Sequence, residues 1–78
     1  MPDPVSWMMI EEGWSVVDSD GETVGRVDEV LGDERVDIFN GLQVLVGTLA
    51  KREYVPAEKV GEIVEGQVQL RLKKDELG

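Results

Sequence analysis

Three carboxylates stand at alternate positions in "VVDSDGETVGRV", those of Asp18, Asp20 and Glu22. Oxygen ligands spaced this way are what a hard cation such as calcium takes from a loop. An EF-hand keeps its glycine at the sixth loop position, whereas here Gly21 directly follows Asp20, so the calcium pattern is not met. The competing reading is a solvated turn in which Asp18 or Asp20 caps the local backbone. Acid–base catalysis by a carboxylate pair is the third chemistry open to such residues, but 17 Asp and Glu among 78 residues bring carboxylates together by chance. The chain has no histidine and no cysteine, which removes imidazole bases, thiolate nucleophiles, cysteine zinc sites and disulfides together. The expectation is no catalytic residue, no cofactor and no dedicated metal site, hence not an enzyme. Weak binding of an ion or small ligand by the Asp18–Glu22 hairpin is the alternative.

The elements that would carry these carboxylates read as strands. Val24, Val27, Val30 and Leu31 recur at a helical interval. Against a helix stand the interior Gly25, the β-branched residues and the turn pair Asp20-Gly21 between two valine-rich runs. Asp-Gly suits a two-residue hairpin turn, which needs positive φ. Gly25 inside the second strand then marks a bulge or a close backbone approach, and the slip it allows turns both Val24 and Val27 inward. Gly32-Asp33 is a further turn signal, and Arg35 to Asn40 forms a weakly patterned link or strand ending at Asn40-Gly41. "GLQVLVG" alternates, Leu42, Val44 and Val46 on one face and Gln43 and Leu45 on the other. "TLAKRE" turns the chain. "EYVP" is a strand stopped by Pro56, which has no N–H to give a ladder but suits the start of one short helical turn over Ala57–Val60. Glu65-Gly66 turns again, and "QVQLRL" places Val68, Leu70 and Leu72 inward. Short strands separated by turn signals predict one all-β domain over 1–78, ordered over about 7–72, with frayed termini at Met1 to Pro4 and in "KKDELG".

Composition narrows the function classes. At this length folding hides only about 60% of the surface the unfolded chain exposes, so a deep catalytic cleft is hard to build and oligomerisation is one way to bury more. Eight basic against 17 acidic residues give a net charge of −9, which repels nucleic-acid backbones and anionic membranes. "MPDPVSWMMIEEG" has no basic lead and no long apolar run, and no stretch nears the roughly 20 apolar residues of a membrane span. Lys74-Asp75-Glu76-Leu77 spells a retention tetrapeptide, but Gly78 follows it and such signals are read at a free end. A cytoplasmic protein is expected. "WMMIEEGW" supplies more Trp and Met than one small core needs: Ile10 and Trp14 are expected to close the core, and Trp7 and Met8 to divide between core and a partner-facing patch. Phe39 and Leu45 are the other apolar candidates for an interaction surface.

The ordered set "GWSVVDSDGETVGRVDEVL", an alternating strand, and "YVPAEKVGEIVEGQVQL" resembles the PRC-barrel family, known from reaction-centre H subunits and ribosome maturation factors. The likeness runs from Ile10 to Leu72. It implies a barrel of about six mostly antiparallel strands with a packed interior, in which Gly21, Gly25 and Pro56 are structural turn and bulge positions, beside the turn residue Asp20 read above, and no residue is catalytic. It also implies a scaffold or docking role. Together with the surplus apolar residues, this predicts a non-enzymatic interaction module whose partner is a second copy of itself, another protein, or both, with no direct nucleic-acid or membrane partner.

Overall fold

A computed structural model describes residues 4–77. Met1 to Asp3 and Gly78, which belong to the ends expected to fray, lie outside the described residues. The fold is all-β: strands β1 (Ser15–Val17), β2 (Thr23–Asp33), β3 (Ile38–Val46), β4 (Lys51–Pro56), β5 (Val60–Val64) and β6 (Gln67–Leu70) make one sheet in the order β4-β3-β2-β1-β6-β5. β1 and β6 run parallel, and every other ladder is antiparallel. The sheet curls into a half-barrel around Ile10, Val16, Val24, Val27, Leu42, Val44, Val55, Val60, Val68 and Leu70. The only helical pieces among the described residues are four 3-10 turns, one of them Ala57–Lys59 directly after Pro56.

Valine and leucine at alternate positions face this core because successive side chains of a strand point to opposite sides. Strict alternation fails in the long strand β2, where Val24 and Val27 are both buried. The register shows how. Val16 pairs with Gly25 and Val17 with Thr23, leaving Val24 as an extra residue. A second irregularity at Asp28 separates Val27, opposite Val44, from Glu29, opposite Gln43. Each added residue turns the following side chains over and tightens the local twist, which helps a short sheet curl. Gly25 lies close against β3, and a Cβ there would overlap the Leu45 carbonyl.

Three turns differ from expectation. Asp20-Gly21 is not a two-residue loop: the Asp18 N–H donates to the Glu22 carbonyl at 2.8 Å and the Gly21 N–H to the Asp18 carbonyl at 3.0 Å. Only Gly21 in that loop is left-handed, at φ 85°, so the loop has three residues, Ser19 to Gly21, with glycine at the bulge position. Gly32-Asp33 does not turn; β2 continues through both, and the reversal uses a 3-10 turn at Glu34–Val36 with left-handed Asp37. Asn40-Gly41 does not end a strand either. It is a bulge inside β3, with Gly32 opposite Phe39 and Leu31 opposite Gly41. In both cases the cross-strand partners continue the ladder past a local breaker, and tertiary pairing overrides the dipeptide signal.

The "KKDEL" segment is also not frayed. Lys74–Glu76 forms a 3-10 turn, the Lys73 N–H donates to Glu76 Oε1 at 3.0 Å, and Leu77 packs on the core. At the other end the Val5 N–H donates to the Ile63 carbonyl at 2.8 Å, which holds this part of the chain beside β5.

Candidate functional site

The acidic loop is built around one residue. Asp18 follows β1 and is 1% exposed. Its Oδ1 accepts from the Asp20 and Glu22 N–H groups, each at 2.9 Å, and its Oδ2 accepts from the Lys74 N–H at 3.0 Å. A short side chain that reaches its own backbone two residues on is how Asp organises a turn. Here the same carboxylate also ties the C-terminal turn to the loop. Burial pushes the Asp18 carboxyl up, but backbone N–H groups, that of Lys74 foremost, outweigh it and hold the pKa below its ordinary value. Asp20 and Glu22 lie exposed. Among the described residues no three carboxylates converge as a cation site would require. Of the three carboxylates, one is committed to backbone donors and two face water.

The four apolar residues read as an interaction surface fall in two places. Trp7 lies in a 3-10 turn, Trp7–Met9, and stacks on Phe39 of β3 with ring centroids 5.2 Å apart and planes at 13°. Its Nε1–H donates to Asp37 Oδ1 at 2.8 Å. Gly32, directly across from Phe39, leaves the space the indole occupies: a Cβ there would lie 3.0 Å from Trp7 Cη2. The N-terminal turn is therefore fastened to the far end of the β2–β3 hairpin by a ring pair and one hydrogen bond. Both rings are half-buried, while Met8 beside them is exposed.

Leu45 is elsewhere. It sits half-buried on the outer face of β3, with Arg26 of β2 and Arg52 of β4 as its cross-strand neighbours. Arg52 Nε in turn reaches Asp28 Oδ2 at 3.1 Å. Long arginine stems beside a leucine cover apolar surface with their own methylenes.

The sequence reading missed other members of the hairpin-end surface. Met9, Val36 and Ile38 are exposed, and Val36 and Ile38 flank Asp37, the partner of Trp7. Their signal was hidden by reading Gly32-Asp33 as the turn, which left residues 35–40 as an unassigned link. Asp20 and Gly21 lie in the hairpin loop, Gly25 at the close approach of β2 to β3, and Pro56 at the end of β4.

Among the described residues no helix is long and apolar enough to cross a membrane. Residues 10–78 match a family described as an uncharacterized protein conserved in bacteria (DUF2171), and the chain belongs to that family. No curated protein matches the chain.

Proposed function

We propose that this member of a bacterial family is a non-enzymatic interaction module of the PRC-barrel type, a cytoplasmic half-barrel that associates with itself and with another protein. The observation that carries this reading is the end of the β2–β3 hairpin. Met8 and Met9 in the turn that carries Trp7, and Val36 and Ile38 on either side of its partner Asp37, are exposed, while Trp7 and Phe39 stack half-buried. Apolar side chains grouped on one end of a small monomer mark a protein contact more often than a chance of composition. Methionine adapts to a partner's shape, and a rigid aromatic pair beneath supplies the anchor. The acidic surface supports a protein partner over nucleic acid, since the net charge of −9 repels phosphate.

The test is affinity capture from native lysate combined with mass measurement in solution. The expected result is a specific protein retained by the wild type and lost with the paired substitution Met9→Glu and Ile38→Glu. Both positions are exposed, so the variant is expected to keep its fold, checked by an unchanged melting temperature. Equal retention by wild type and variant would refute a docking role for this end of the hairpin.

A further inference from the structure

The hairpin-end surface is made by two distant parts of the chain that are tied at one point. Trp7 brings the exposed Met8 and Met9 with it, and its indole N–H donates at 2.8 Å to Asp37, which stands between the exposed Val36 and Ile38. Carboxylates accompany both parts. Glu11 and Glu12 are exposed in the stretch between Trp7, which lies against Gly32, and Gly13, whose N–H donates to the Val27 carbonyl at 2.8 Å. The chain reversal from Asp33 to Ile38 adds Asp33, Glu34 and Asp37 against a single base, Arg35. That base is engaged locally: its Nε and Nη2 reach Asp33 Oδ1 and Oδ2 at 3.2 and 3.1 Å.

Other basic side chains stand elsewhere. Residues 1–25 contain no lysine or arginine, and along β2, β3 and β4 the bases Arg26, Arg52 and Lys51 gather at the opposite end of the ladder, across from Leu45 and Val46. We infer that the occupant of the hairpin-end surface is a basic, apolar segment of another protein, its large apolar side chains covering Met8, Met9, Val36 and Ile38 while its lysines or arginines meet Glu34, Asp37 and the neighbouring Glu11 and Glu12. Protein interfaces match opposite potentials around an apolar centre, and like charges brought face to face cost affinity. An acidic partner, an anionic membrane or a second copy at −9 meets that penalty here, and a bare cation leaves the apolar side chains in water. This inference rests on the interaction-module reading and gives the chemistry of its partner.

NMR titration of the full chain with three synthetic peptides of equal length tests it: one of leucine and lysine, one of leucine and glutamate, one of serine and lysine. The leucine–lysine peptide is expected to bind saturably, with amide shifts centred on Met8, Met9, Val36 and Ile38, and to weaken as salt is raised. The other two should bind at least about tenfold more weakly. Glu34→Lys combined with Asp37→Asn, which keeps an oxygen for the Trp7 indole, should weaken the leucine–lysine peptide about tenfold. Asp20→Asn combined with Glu22→Lys makes the same change of net charge on exposed residues of the β1–β2 loop, at the other end of β2, and should have little effect. Equal losses in the two double variants, or equal binding of the serine–lysine peptide, would reduce the contact to net charge and overturn the inference. Dilution-dependent shifts at Met9 and Ile38 at low salt without peptide would put a second copy on the surface and overturn it too. If the leucine–glutamate peptide binds best at the same residues, the partner's chemistry is wrong while the interaction-module reading stands. If none of the three binds, the inference falls and the lysate capture decides the reading by itself.

Discussion

At the scale of single residues, Asp18 accepts three backbone N–H groups from two stretches of chain through one carboxylate, and the consequence is a pH dependence of known sign. Its backbone donors hold the folded pKa below the ordinary value of 3.8, so the unfolded chain takes up this proton first. The stability it contributes is complete above the unfolded value and is lost as pH falls through the folded one. Asp18→Asn should lower the melting temperature at neutral pH, because an amide turns a donor toward the Lys74 N–H. It should also flatten the acid limb of a melting-temperature profile between pH 5 and 2 relative to the wild type. Parallel acid limbs would show that other carboxylates control acid unfolding.

Gly25 makes the second residue-scale prediction. Any side chain there meets the Leu45 carbonyl, which is backbone and cannot rotate away. Gly25→Val is expected to cost about 1–3 kcal/mol, read as a lowered denaturant midpoint at constant slope. An unchanged midpoint would mean that β2 and β3 are not so close.

At the scale of elements, the N-terminal 3-10 turn is held to the hairpin end chiefly by Trp7. Asp37→Ala removes the acceptor of its Nε1–H and should cost about 1 kcal/mol, with a shift in tryptophan emission as the ring loosens. Trp7→Ala also gives up the stack on Phe39 and should cost more, about 2–4 kcal/mol. If the two variants lose equal stability, the ring contact contributes nothing beyond the hydrogen bond. The acidic loop is an element in the same sense, a three-residue turn closed on itself. Calcium titrated into the protein should give no saturable rise in melting temperature, because Asp18 is engaged by backbone N–H groups while Asp20 and Glu22 face water. A rise at micromolar calcium would move the ion-binding alternative to first place.

At the scale of the whole molecule, net charge and surface patch oppose each other. Two copies at −9 repel over the Debye length, about 10 Å at 0.1 M salt, whereas contacts between exposed apolar side chains act only at touching distance. Association should therefore strengthen as salt is raised, the reverse of an interface held mainly by ion pairs. Leu45→Glu serves as the comparison. It lies on the sheet face opposite Val44 and Val46 and should leave the salt series unchanged. Weaker association at higher salt would point to an interface built on charge.

The alternating stretches were legible from sequence because burial on one face of a strand imposes a period of two, and "GLQVLVG" and "QVQLRL" carry it undisturbed. So was the 3-10 turn after Pro56, since proline's missing N–H and fixed φ are local properties. Gly25 signalled an irregularity that turns both Val24 and Val27 inward, and the register places the extra residue next to it, at Val24. Tertiary structure alone decided the rest. The parallel pairing of β1 with β6 joins residues about fifty positions apart, and no local signal encodes such a distance. Gly32-Asp33 and Asn40-Gly41 look like turns in isolation but are carried through as strand by the residues opposite them. The C-terminal "KKDEL" reads as a solvated tail, yet it is ordered by a carboxylate far away in the chain, that of Asp18. Trp7 found its place only because Gly32 and Phe39 came to lie side by side on neighbouring strands. Local chemistry selects which segments extend and which bend, and long-range pairing selects their neighbours; the surfaces proposed for binding arise from that second choice.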